Sequence, residues 1–141
     1  MKIYIICSKA FYKEVAPIKE KLEKKGYIVE LPFEHNTPEL EEQAWKSGRE
    51  QHAEFKARMF RESAEMIDTV DAVLTLNFNK KGIKNYIGGS TFLELYEAFM
   101  KNKKIYLYND IPEGMLFDEI NGFDPIIING NLNLIGETEK I

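Results

Sequence analysis

Short apolar runs alternate along the chain with longer stretches in which apolar residues recur every three or four positions. The first run, Lys2–Cys7, is β-branched and aromatic, which predicts a buried strand. Apolar residues at helical spacing follow between Phe11 and Leu22, with Ser8 placed to start the helix and Gly26 to cap its end. A second strand is predicted at residues 27–32. Strand, helix and strand in this order form the unit of a parallel sheet.

A charged stretch with apolar residues at helical spacing comes next. Its apolar positions run from Leu40 to Ile67 and predict one long helix, or two helices broken near Gly48. Thr37 and Pro38 are expected to be the N-cap and the first helical residue. The charged side chains of this stretch are expected to form a solvated helix face.

The rest of the chain repeats the alternation of strands and helices. Residues 71–77 are almost continuously apolar, which predicts a central strand buried on both faces. A helix is predicted from Thr91 onwards, a strand at residues 104–110 and a last strand at residues 125–128. This order predicts a single α/β domain over residues 1–141. Its sheet is expected to be doubly wound (flavodoxin- or Rossmann-like), with about four or five parallel strands and helices on both faces.

Composition restricts the expected partners. The 141 residues carry a formal net charge of -4, which argues against binding to a nucleic acid polymer or to an anionic membrane. No stretch reaches the roughly 18 apolar residues of a membrane span, and no signal peptide is visible, so the predicted location is the cytoplasm. Cys7 is the single cysteine, so no disulfide within the chain is expected.

Polar residues follow the ends of the predicted strands. Ligands of an open parallel sheet bind outside the carboxyl ends of its strands, so these residues are the candidates for a site. Ser8 follows the first strand and residues 33–36 follow the second, whereas Asp71 lies at the amino end of its strand and is expected to be structural. The loop after the third strand is long and contributes further expected ligand contacts: Asn77, Asn85, Tyr86, Gly88, Gly89 and Ser90.

Glu94 lies one turn inside the helix that follows this loop, and two roles fit it. The segment from Thr91 to Glu94 matches a capping box, in which Thr91 is the N-cap and Glu94 reaches back to its amide. The other role is chemical, because the positive end of the helix and nearby polar groups favour an ionised, oriented carboxylate. Such a carboxylate can attack or stabilise an anomeric carbon, as in retaining glycosidases. The sequence leaves both roles open.

The other motifs give weaker indications of a metal, cofactor or nucleotide site. His35, His52 and Cys7 lack the spacing of metal ligands, so neither a metal nor another cofactor is predicted. The loop is neither a G-x-G-x-x-G segment nor a P-loop, which gives little support to dinucleotide or triphosphate binding. Gly88 and Gly89 could instead serve the turn alone, by adopting positive φ.

Several motifs between Asp71 and about Pro112 occur together in one known family. A strand begins Asp-Ala-Val, a Gly-rich turn reads Asn-Tyr-Ile-Gly-Gly, the next helix contains Glu-Leu at Glu94, and a Lys-Ile strand follows. This pattern resembles the nucleoside 2-deoxyribosyltransferase superfamily, and most closely a small branch with the Asn-Tyr-Ile-Gly turn. The resemblance covers roughly a third of the chain.

The resemblance implies an enzyme that cleaves or transfers at the N-glycosidic bond of a nucleoside or nucleotide. The family's glutamate, which attacks C1′ and forms a glycosyl-enzyme intermediate, corresponds to Glu94. Contacts to the sugar or 5′-phosphate correspond to residues 88–90 and to Ser8. Two positions depart from the family: a sugar-binding aspartate is Ser63 here, and the glycine that often follows Glu-Leu is Tyr96.

Three functions therefore fit the sequence. The first is the glycoside-processing enzyme with Glu94 as nucleophile. The second is a non-catalytic nucleotide-binding module in which Glu94 only caps its helix, and the third is a scaffold subunit. Because the family builds its sites between subunits, a homo-oligomer, a dimer or larger, is expected, with residues 40–67 as its contact surface.

Overall fold

The computed structural model describes residues 1–32 and 34–136, so Phe33 of the predicted site loop lies outside the described part. Within these residues five strands form one sheet, in the order β2-β1-β3-β4-β5, and every neighbouring pair is parallel. The predicted α/β fold with four or five parallel strands is therefore confirmed. The strands are β1 at Lys2–Cys7, β2 at Ile28–Glu30, β3 at Ala72–Leu76, β4 at Lys104–Leu107 and β5 at Ile126–Ile127.

Helices cover both faces of the sheet, as expected for a doubly wound fold. One face packs against α1, and the other against α3, α4 and α5, since buried residues of these helices share a core with alternate strand side chains. In β1, for example, Ile3 and Ile5 belong to the first core and Tyr4 and Ile6 to the second. The helices are α1 at Tyr12–Lys24, α2 at Leu40–Ser47, α3 at Arg49–Thr69, α4 at Gly89–Met100 and α5 at Phe117–Gly122.

The charged stretch forms two helices, and the break lies where the sequence predicted it. Gly48 separates α2 from α3 with φ of 136°, a conformation that L side chains rarely adopt. The predicted start was wrong: Glu39 is the N-cap, and Thr37 and Pro38 belong to the turn before it. The Leu40 amide bonds the carbonyl of Thr37 over 3.2 Å, so Thr37 closes a turn instead of capping a helix.

The strand order creates a crevice beside β1. The chain leaves β1 for β2 on one side and reaches β3 on the other, so loops diverge at the carboxyl end of β1. At the opposite end Asp71 Oδ2 accepts a hydrogen bond from the Lys2 amide over 2.7 Å, which confirms the structural role expected for Asp71. No helix in the described ranges is both long and apolar enough to cross a membrane.

Candidate active site

A pocket of about 260 Å³ opens at the carboxyl ends of β1 and β3, beside this crevice. Its lining comes from the end of β1, the loops after β2 and β3, the facing sides of α2 and α3, and the start of α4. The volume lies just below the usual range of small-molecule sites, so a ligand of this pocket is expected to be small.

The Glu94 carboxylate forms part of the pocket wall and is held by hydroxyl groups from two other elements. Tyr4, from the middle of β1, donates to Glu94 Oε2 over 3.2 Å, and Ser63, from α3, donates to the same oxygen. The Tyr4 and Ser63 hydroxyl oxygens lie 3.1 Å apart. Both bonds therefore restrain Oε2, whereas Oε1 accepts no hydrogen bond within the described residues.

Burial changes the titration of Glu94. Removal from water raises the pKa of the carboxyl from 4.5 to about 7, although hydrogen bonds from Ser63 and Tyr4 and the charge of Lys56 act in the opposite direction. The side chain itself keeps partial contact with solvent through the pocket. The expectation of a fully ionised carboxylate was therefore wrong, because desolvation outweighs the hydrogen bonds at this position.

The capping-box interpretation of Glu94 is wrong. Helix α4 begins at Gly89, two residues before Thr91, and its N-cap is Gly88, with no side-chain capping bond. Glu94 therefore lies too far into the helix to bond an N-cap amide, and its carboxylate points to Tyr4 and Ser63 instead. Capping the helix is therefore not the role of Glu94, whose carboxylate lies in the pocket wall.

Gly88 and Gly89, at the start of α4, do not adopt positive φ. Gly88 has φ of −86°, and a Cβ built there would meet the Tyr86 hydroxyl at 2.9 Å. Gly89 has nothing within 4 Å of its built Cβ, so the space beside it is open. A side chain at Gly88 would therefore displace the Tyr86 ring, whereas the start of α4, where backbone amides lack helical partners, has open space at Gly89.

Six of the eight predicted site residues line this pocket, and two lie outside it. Asn77 donates to the carbonyls of Asn109 and Asp110 at 2.9 and 3.0 Å, and so links the ends of β3 and β4. Asn85 adopts φ of 55°, and its amide donates to Asn79 Oδ1 over 3.1 Å. Both thus have roles in the loop itself. The six lining residues are Ser8, Tyr86, Gly88, Gly89, Ser90 and Glu94.

Sequence reasoning missed the charged groups that α2 and α3 bring to the pocket. Lys56 Nζ donates to Ser90 Oγ over 2.8 Å and lies 3.6 Å from Glu41 Oε2. Glu41 Oε2 is also 2.8 Å from His52 Nε2, and the His52 ring stacks on Trp45 with centroids 3.7 Å apart. The helix face predicted to be solvated is therefore in part a wall of the site.

Two other titratable residues of the pocket wall, Cys7 and Tyr12, are poor candidates for the nucleophile. Burial, and then the nearby Glu94, raise the pKa of the Cys7 thiol to about 12, so the thiolate is scarce at neutral pH. Burial also raises the pKa of Tyr12 above its ordinary value. The pKa of Glu94, about 7, lies in the range that suits catalysis at neutral pH.

No protein-family model matches the sequence, and the search of curated proteins found no match either. The chemistry of the pocket therefore rests on the contacts of its own residues.

Proposed function

We propose that this protein cleaves or transfers the N-glycosidic bond of a nucleoside or nucleotide, with Glu94 as the nucleophile. The observation that supports it most is the Glu94 carboxylate in the pocket wall, with Oε2 restrained by Tyr4 and Ser63. Oε1 keeps its lone pairs for an electrophilic carbon. The resemblance of residues 71–112 to nucleoside 2-deoxyribosyltransferases, which use a glutamate at this point, suggests the same reaction.

In the proposed reaction Oε1 of ionised Glu94 attacks C1′ of the sugar on the face opposite the base. The C1′–N bond breaks, its electron pair stays on the base nitrogen, and that nitrogen takes up a proton from solvent. Water then attacks C1′ of the glycosyl ester and loses a proton, or a second base attacks in its place. The ester bond breaks with its electron pair on the carboxylate, which regenerates Glu94.

The charges of the pocket favour a ligand with both an anionic group and hydrogen-bond donors. Three lysines, Lys9, Lys56 and Lys80, line it together with three glutamates. The accessible amides at the start of α4 add partial positive charge, which supports binding of a 5′-phosphate there. A nucleoside 5′-monophosphate combines both features, so we place it ahead of an uncharged nucleoside as the substrate.

The proposal is tested with a panel of 2′-deoxynucleosides, ribonucleosides and their 5′-monophosphates, incubated with the protein and separated by chromatography. Release of free base from at least one deoxynucleoside or deoxynucleotide is the expected result. If all of them stay intact while calorimetry detects their binding, the protein is a nucleotide-binding module, and the enzymatic proposal falls.

A further inference from the structure

Glu34 has a buried carboxylate oxygen without a partner. The residue is 3% exposed, and its Oε1 makes no hydrogen bond within the described part of the chain. A buried acceptor left unsatisfied destabilises a fold, and native structures keep such groups where a ligand or another function needs them. Because Glu34 also lines the pocket, a bound ligand is the obvious source of the missing donor.

Neighbouring charges do not give Glu34 a partner. Burial and the charge of Glu41 raise the pKa of its carboxyl, while the charges of Lys9 and Lys56 lower it. Neither lysine bonds the Glu34 carboxylate: Lys56 donates to Ser90 and lies within ion-pair distance of Glu41. The net effect is a raised pKa for Glu34, and neither lysine satisfies Oε1.

Glu34 and Glu94 come from segments that follow strands on either side of β1. Glu34 follows β2, Glu94 follows β3, and β1 lies between these strands. Because neighbouring strands lie about 5 Å apart, β2 and β3 are separated by about 10 Å. A sugar whose C1′ contacts Glu94 keeps its hydroxyls near Glu94 as well, so the part of the ligand that reaches Glu34 is the base.

We propose that Glu34 accepts a hydrogen bond from an N–H group of the nucleobase, so that the pocket selects bases with an amino group. This inference rests on the proposed function. The Glu34 carboxyl group can accept a hydrogen bond in either protonation state, and adenine, cytosine and guanine each carry an exocyclic amino donor. A site built around a buried polar group rejects an analogue that lacks the matching donor, because the group then stays unpaired.

The test compares 2′-deoxyadenosine with purine 2′-deoxyriboside, which has the same ring without the amino group, and supplies each as its 5′-monophosphate, the form that the proposed function favours. Affinities are measured by calorimetry in Glu94→Gln protein, so that turnover does not interfere. We expect about tenfold tighter binding of 2′-deoxyadenosine, since a hydrogen bond to the buried carboxyl group is lost with the analogue. Glu34→Met, added to the same protein, should abolish this preference, whereas Glu34→Gln should keep it through its amide oxygen.

Thermal unfolding provides a second measurement. Glu34→Met removes an unpaired acceptor at similar volume, so the variant without ligand should unfold at the same or a higher temperature. An unchanged preference in Glu34→Met, or none in the parent protein, overturns the inference. Equal weakening of both nucleosides would mean that Glu34 binds a sugar hydroxyl and overturns it too. If the preference is found but wild-type protein releases no base, the proposed function fails and this inference stands. If neither compound binds, the proposed function and this inference are both refuted.

Discussion

The hydroxyl of Tyr4 donates to Glu94 Oε2 over 3.2 Å and thereby joins β1 to a helix 90 residues later in the chain. Ser63 of α3 donates to the same oxygen, so three elements that pack in one core meet at one carboxylate. The hydroxyls restrain one oxygen, and the other accepts no hydrogen bond within the described residues. This arrangement is the reason why Glu94 is proposed as the nucleophile.

Replacement of Tyr4 by phenylalanine removes one of the two donors to Glu94. Since this bond lowers the pKa of Glu94, its loss should raise that pKa and move the pH dependence of base release to higher pH. At pH 7 we expect a fall in turnover of about tenfold. Tyr27→Phe is the matched control, because its hydroxyl donates to the Ile135 carbonyl outside the pocket wall. Equal pH profiles for the two variants would show that Tyr4 has no positioning role.

Base release should depend on the ionisation of Glu94. The pKa of Glu94 is about 7, above the ordinary 4.5, and only the anion can attack C1′. The rate constant kcat/KM should therefore rise from about pH 6 to about pH 8 and then level off. Initial rates in buffers of constant ionic strength measure this profile. A rate that is flat over the range, or that falls as pH rises, would be incompatible with an anionic nucleophile of this pKa.

Gly89→Val tests whether the ligand rests on the start of α4. No atom lies within 4 Å of the built Cβ, so the side chain has room in the unliganded fold but projects into open space at the turn. We expect a loss of nucleotide affinity that far exceeds any loss of stability, measured by calorimetry and thermal unfolding. Gly122→Val is the control, since Gly122 is also uncrowded and ends α5 away from the pocket wall. Affinity equal in both variants would exclude the turn as the binding surface.

Self-association is a further prediction, and the exposed apolar side chains favour it. Trp45 and Phe60, within the predicted contact surface, are 55% and 38% exposed. A second cavity between α3 and α4, lined largely by apolar atoms, reaches Glu94 from the side of Phe60 and Tyr96. A partner covering this cavity would shield Glu94 from water. Light scattering at micromolar concentration should give a dimer or larger, and a monomer would contradict the prediction.

Much of the fold could be predicted because its signals are local. Continuous apolar runs marked β1 and β3, and Gly48 marked the break between α2 and α3. Helix α5 was not predicted, since it has six residues and one of them, Ile120, is buried, which is too few for a periodic pattern. The start of α4 was misplaced because Thr91 and Glu94 match the capping-box pattern, whereas glycine is only modestly enriched at N-caps.

Only those site residues that follow the ends of the strands were predicted. Glu94 and the loop after β3 follow from the rule that ligands bind at the carboxyl ends of parallel strands. Tyr4 was missed because a tyrosine in the middle of an apolar strand has the pattern of a core residue. Lys56 and Glu41 were missed because a charged helix has the same pattern whether it faces solvent or a pocket. Only the packing of α2 and α3 distinguishes these cases.

The most direct test of the account is the turnover of Glu94→Gln protein, compared with wild type and with Glu97→Gln. Glutamine lacks the anionic oxygen that bonds C1′, so base release should fall by orders of magnitude. Glu97, on the same helix, is paired with Lys101, and its replacement should leave turnover close to wild type. Glu94→Gln is expected to fold. Because the pKa of Glu94 is raised in the folded state, its ionisation lowers the stability of the fold as pH rises towards 7. Glutamine carries no charge, so the variant avoids this loss. A folded Glu94→Gln protein with wild-type turnover would contradict the central claim.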